Sequence, residues 1–137
     1  HDILYLTDNA GEIVFDRLLL ERMPCKKVTV AVRGMPIIND ATMDDAEYTG
    51  LTKVANVVDN GSDAPGTILS DCSDAFRRHF ELADMIISKG QGNYETLVDS
   101  PRPIWFLLRV KCPVIARDLK CLVGTTILRR STSRAAA

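Results

Sequence analysis

Apolar runs rich in β-branched residues recur along the chain, each followed by turn residues and then by a helical spacing of apolar positions. The runs cover residues 3–6, 28–32, 54–58, 85–88 and 104–110. Short, nearly continuous apolar stretches of this kind fit strands buried on both faces, and their alternation with helices predicts a mainly parallel sheet. Between them, residues 11–23 predict an amphipathic to strongly apolar helix with Asp8 or Asn9 as N-cap and Pro24 as its stop. A second helix is expected over 41–48, with Gly50 just past its end. A third covers 70–83, with Ala75, Phe76, Phe80 and Leu82 towards the sheet and Arg77, Arg78 and Glu81 outward. A short fourth helix spans 93–98, a helical turn spans 114–119, and residues 125–128 form an edge strand. The predicted fold is therefore α/β: a three-layer α/β/α, Rossmann-like arrangement around about five to six strands.

The 137 residues, 46% of them hydrophobic, suffice for one domain with a real core, assigned to residues 1–130; residues 131–137 lack periodicity and are expected to be a disordered tail. A formal net charge of −1 without a basic stripe argues against nucleic acid or an anionic membrane surface as partner. No apolar stretch approaches the roughly 20 residues that cross a bilayer, and the N-terminus lacks a signal-peptide pattern, so a cytoplasmic location is expected. Cys25, Cys72, Cys112 and Cys121 form no C-x-x-C pair and are expected to be free thiols, mostly packing as small hydrophobes. The start at His1-Asp2, so close to a central strand, suggests missing upstream residues.

Right-handed crossovers gather the loops after the strand carboxyl ends along one edge of the sheet. The polar clusters in those loops become neighbours: Asp8-Asn9, Arg33-Gly34 with Asn39-Asp40, Asp59-Asn60-Gly61, Lys89-Gly90-Gln91-Gly92-Asn93, and Arg109 to Lys111. Asp8, Asn9 and Asp40 offer hard oxygen donors, and ligation without His or Cys favours Mg²⁺ or Mn²⁺. The plain alternative is that these residues only cap the first two helices. Lys89-Gly90-Gln91-Gly92-Asn93 lies between strand and helix, where glycines let backbone N–H groups approach an anion and Lys89 supplies charge. It lacks the full dinucleotide and P-loop signatures. A cation opposite a phosphate cradle suits hydrolysis of a phosphate monoester. Neither His1 nor His79 is well placed as a general base; Asp40 and Asp44 are the candidates, four residues apart and on one face if the helix has begun.

Taken together, Asp8-Asn9-Ala10-Gly11-Glu12, the run from Arg33 to Thr42, and the run from Lys89 to Leu97 resemble the metal-dependent damage-control phosphatases. This is the ARMT-like family first catalogued as domain of unknown function eighty-nine, and the resemblance extends from about residue 3 to about residue 128. It implies a Rossmann-like domain that uses one divalent cation, Mg²⁺, Mn²⁺ or another transition metal such as Co²⁺ or Ni²⁺. The implied substrates are small phosphorylated metabolites, such as sugar phosphates or damaged cofactor precursors. It places the metal on Asp8, Asn9 and Asp40, and phosphate recognition on Lys89, Gly90 and Asn93, with Lys111 as a looser match. Glu12 and Arg33, inside the first two motifs, are expected to contact substrate or phosphate as well. The family also implies a helical region upstream of the first motif; without it the pocket is expected to be open, activity weak, and apolar surface free for self-association. The competing reading is a non-catalytic domain that binds a phosphometabolite or nucleotide. Receiver-like and haloacid-dehalogenase-like readings fail because they want paired carboxylates, or Asp-x-Asp, where this chain has Asp8-Asn9-Ala10.

Overall fold

The computed structural model describes residues 2–24 and 27–131. Six strands form one sheet: β1 (Asp2–Leu6), β2 (Lys27–Val32), β3 (Asn56–Asp59), β4 (Met85–Lys89), β5 (Trp105–Arg109) and β6 (Thr126–Arg130). Their spatial order is β3-β2-β1-β4-β5-β6. The first five are parallel, and β6 closes the edge antiparallel to β5. This is the doubly wound order, in which the winding direction reverses between β1 and its neighbour β4.

Each face of the sheet carries its own core, so the fold has three layers. Tyr5, Val30 and Val32 pack with Ile13 and Leu20 of α1 (Ile13–Leu20), Ala46 of α2 (Met43–Tyr48) and Leu51. Leu4, Leu6, Ile86 and Phe106 face the opposite side, against α3 (Asp74–Leu82), α4 (Gln91–Leu97) and α5 (Pro113–Leu119). Successive residues of β1 thus enter opposite cores, which is why its sequence is a run and not an alternation.

Helix ends depart from the hydrophobic pattern where caps and turns decide them. The third helix begins at Asp74, not at residue 70, because the Ser73 hydroxyl caps it by accepting the Phe76 N–H at 3.2 Å. Phe76 and Phe80 are buried as expected, whereas Ala75 is exposed and Leu82 is 77% exposed. Leu82 lies two residues from Phe80 and so points away from the face that Phe76 and Phe80 share. The fourth helix starts at Gln91, two residues early, and the third strand starts at Asn56 because a 3-10 turn, Leu51–Lys53, precedes it. Gly50 follows α2 with φ +71, the expected left-handed position past a helix end. Cys72 is buried, Cys112 and Cys121 are partly buried, and all three are free thiols. Cys25, His1 and residues 132–137 lie outside the described residues.

Candidate active site

The reversal of winding places the loop after β1 beside the loop after β4. A short backbone clamp brings the second motif to the first. The Ala10 N–H donates to the Asn39 carbonyl and the Ala41 N–H to the Asp8 carbonyl, both at 2.8 Å, which sets Asn9 opposite Asp40 in an antiparallel bridge. The Arg33 N–H donates to the Ala41 carbonyl at 2.9 Å and ties the same segment to the end of β2. Just before it, Ile38 holds φ +50, a conformation uncommon for a β-branched residue, as the chain turns into Asn39-Asp40.

Neither candidate pair caps a helix. Thr42 caps α2, in a reciprocal box with Asp45, so Asp40 is free of that duty. Glu12 occupies the cap position of α1 without a side-chain bond to its N–H groups. The Asn9 amide nitrogen instead donates to Asp8 Oδ2 at 3.1 Å and to Glu12 Oε1 at 3.2 Å, leaving its carbonyl oxygen as a donor atom for a cation.

Gly90 sits directly beneath Asp8. It holds φ +86, and a Cβ there would overlap the Asp8 carboxylate, lying within 2.6 Å of Oδ1. Its N–H donates to the Leu107 carbonyl at 3.0 Å, so Gly90 contributes space, not an anion-binding N–H. Burial first, and then the neighbouring charges of Asp40 and Glu12, push the Asp8 carboxyl up to about 6, against the smaller pull of Lys111 and Arg33. Asp8 is thus a carboxylate whose neighbours leave it short of positive charge.

Lys89 lies between Glu12 Oε2, at 3.1 Å, and Asp16 Oδ1, at 2.9 Å. The Tyr5 hydroxyl donates to the same Asp16 oxygen at 2.7 Å, while Asp16 Oδ2 is buried without a partner. Burial alone would lower the Lys89 ammonium, but the Asp16 charge and the hydrogen bonds to Asp16 and Glu12 raise it. Burial likewise works against ionised Glu12, yet the bonds from Lys89 and Asn9 win and hold it low. A cleft of about 180 Å³ opens among Asp8, Glu12, Lys89, Gly90, Arg109 and Lys111. Its lining mixes the carboxylates of Asp8 and Glu12 with the basic side chains of Lys89, Arg109 and Lys111.

Two expected phosphate contacts face inward instead. The Asn93 side chain is fully buried: its amide nitrogen donates to the Thr7 and Lys89 carbonyls at 3.0 and 2.8 Å, and its oxygen accepts from Arg33 and Thr67. The Arg33 side chain is 4% exposed and pairs with Asp40 Oδ2 through Nε at 2.7 Å. Neither presents a free group to the cleft, because each satisfies buried polar atoms that would otherwise go unbonded. Asp44 is exposed in the first turn of α2, and Asp40 precedes that helix, so the four-residue spacing does not put the two on one helical face. His79 lines a groove with Asp2 and Lys27, at the opposite end of the strands. Asp59 and Asn60 accept backbone N–H groups within their own turn and towards Gly34, away from the cleft.

Among the described residues, no three or more His, Cys, Asp and Glu side chains form a metal-holding group. The candidate donors are two carboxylates, Asp8 and Asp40, completed by the Asn9 amide. The family described as damage-control phosphatase ARMT1-like domain matches residues 1–127. The chain belongs to that family. Among its relatives are a damage-control phosphatase of Archaeoglobus fulgidus, 46% identical over 93% of this chain and 46% of the relative, and an uncharacterised protein of Methanocaldococcus jannaschii, 44% identical over 92% and 43%. The crystal structure of a DUF89 family protein from Pyrococcus horikoshii superposes with a TM-score of 0.91 at 42% identity, covering 96% of this chain and 47% of that one. The chain therefore spans less than half the length of these relatives. Within the ARMT1-like domain seen here, Asp16, Tyr5 and Thr67 are site-forming residues that the sequence reading passed over. Asp16 had a usable signal, standing four residues after Glu12 as the one carboxylate of α1; Thr67, in an irregular loop, had none.

Proposed function

We propose that the cleft is the site of a metal-dependent phosphatase acting on phosphate monoesters of small metabolites, with sugar phosphates or damaged cofactor precursors as the substrate class. The observation that carries this reading is the contact of the Asp8 carboxylate with Gly90, which sets an acidic oxygen cluster against the lysine loop at the reversal of strand order. The relatives named damage-control phosphatases support it.

The donor set fits one hard divalent cation. Asp8, Asp40 and the Asn9 amide are all oxygen donors, and the raised Asp8 carboxyl marks a site that gains from added positive charge. Mg²⁺ or Mn²⁺ suits it best, with Co²⁺ or Ni²⁺ as alternatives. When bound, such a cation would polarise a phosphoryl oxygen and make an associated water more acidic. The chain's own residues do the rest. Lys111 and Arg109 line the cleft and would attract a phosphate dianion. Asp16, itself held by the Tyr5 hydroxyl, binds the Lys89 ammonium from the buried side, so a phosphate competes with the more exposed Glu12 for it. Asp40, one oxygen of which is bound by Arg33, offers its other oxygen to the cation.

The deciding measurement is release of inorganic phosphate from a panel of phosphorylated metabolites, with and without added Mn²⁺. Release that needs the cation and falls to background in Asp8→Ala is the expected result. Tight binding of a phosphometabolite with no release under any cation would replace this reading with that of a binding domain.

A further inference from the structure

We propose that Arg33 is a positioning residue, which orients Asp40 for the cation and, through Thr67 and Asn93, locks that carboxylate to the main chain of the lysine loop. The inference rests on the phosphatase reading for its purpose but on hydrogen-bond geometry for its content.

Three guanidinium nitrogens of Arg33 reach three different segments. Nε donates to Asp40 Oδ2 at 2.7 Å, one terminal nitrogen to the Thr67 hydroxyl at 3.2 Å, and the other to Asn93 Oδ1 at 3.1 Å. The Thr67 hydroxyl donates to the same Asn93 oxygen at 2.8 Å, and the Asn93 amide nitrogen donates to the Thr7 and Lys89 carbonyls. An unbroken chain of hydrogen bonds thus runs from Asp40 to the backbone of both loops that flank Asp8. Asp40 Oδ2 is occupied by Arg33, so its other oxygen is the one free to meet a cation.

A phosphate ligand could not be built this way. Turning the guanidinium to an anion would strip the buried Asp40 carboxylate, 9% exposed, of its partner, and an uncompensated buried charge is among the costliest defects a fold can carry. The fork of fixed donor directions is what the three partners use, and an ammonium cannot reproduce it. Carboxylate ligands held by such outer hydrogen bonds typically lose about 10–100-fold in metal affinity when the outer partner is changed.

The test is Mn²⁺ binding by calorimetry and electron paramagnetic resonance, with inorganic phosphate binding measured separately at saturating Mn²⁺. Arg33→Lys is expected to weaken Mn²⁺ binding by about 10–100-fold, and Thr67→Val, which leaves all charges in place, to weaken it several-fold. Phosphate affinity should stay near wild type in both. In an Asp40→Asn background Thr67→Val should have no further effect on Mn²⁺, an outcome that general loosening of the fold would not produce. If Arg33→Lys fails to fold, the Thr67→Val pair still decides. Wild-type Mn²⁺ affinity in Thr67→Val or in a folded Arg33→Lys, loss of phosphate binding alone, or no Mn²⁺ binding by the wild type would each overturn the inference. Mn²⁺ binding that responds as expected, without phosphate release by the wild type, would leave the inference standing and remove only the phosphatase reading.

Discussion

Gly90 shows how closely the two halves of the site are fitted. Its φ of +86 already disfavours any other residue, and a methyl group there would meet the Asp8 carboxylate. Gly90→Ala should therefore cost about 1–3 kcal/mol from backbone strain alone, and should weaken Mn²⁺ binding as Asp8 is pushed aside; thermal unfolding and calorimetry would show both. Gly92 is the contrast, since a Cβ there would find only ordinary contacts with Gly66. Asp8 makes a second prediction. Its carboxyl lies near 6 without a cation, above the ordinary 3.8, so the folded chain takes up a proton there more readily than the unfolded chain. Asp8 thus favours the fold below about pH 4 and loses that contribution as pH rises through about 6. A cation needs the ionised form, so its apparent affinity should fall and proton release should rise as pH drops below about 6. A calorimetric titration at pH 7.5 and 5.5 in two buffers of different ionisation enthalpy checks this; equal affinity at both would refute it. Residue types at strand ends made Asp8, Asn9 and Asp40 legible as a group. The inward turn of Arg33 and Asn93 was not legible, because it depends on Thr67, 34 and 26 residues away along the chain.

At the scale of elements, what the pattern conveys well is burial, and what it conveys poorly is where hydrogen bonding ends a helix. All five parallel strands overlap the apolar runs: the central β1 is a continuous run because it is buried on both faces, while the edge strand β3 keeps only Val57 and Val58 between exposed polar ends. Helix starts shift by one to four residues because the deciding atoms are cap side chains such as Ser73 and Thr42, or the left-handed Gly90, not the apolar positions. Strand order lies further out of reach. The pairing of Ile3 with Met85 spans most of the domain, and nothing local to either strand announces it. Only the general rule of right-handed crossovers made the strand ends converge, and that rule was enough to gather the clusters but not to say which two would touch. The contact between Asp8 and Gly90 follows from β1 and β4 being neighbours.

Across the molecule as a whole, nothing among the described residues covers the outer face of α1. Ile13, Asp16 and Leu20 of α1 turn into the domain, while Val14, Phe15, Leu18 and Leu19 turn outward, Phe15 with 72% of its surface exposed. Four large apolar side chains within six residues form a patch of the kind that folded proteins cover, whether against another part of a longer chain or against a second copy. This chain on its own is therefore expected to associate as its concentration rises. Sedimentation velocity should show the mean mass climbing with concentration, and Phe15→Lys combined with Leu19→Lys should abolish the climb. Val14 and Leu18 lie on the side of α1 opposite Glu12 and Asp16, so Val14→Lys combined with Leu18→Lys should weaken the association and leave Mn²⁺ affinity unaffected. A single monomeric species at every concentration of the wild-type chain would show that water alone covers this face.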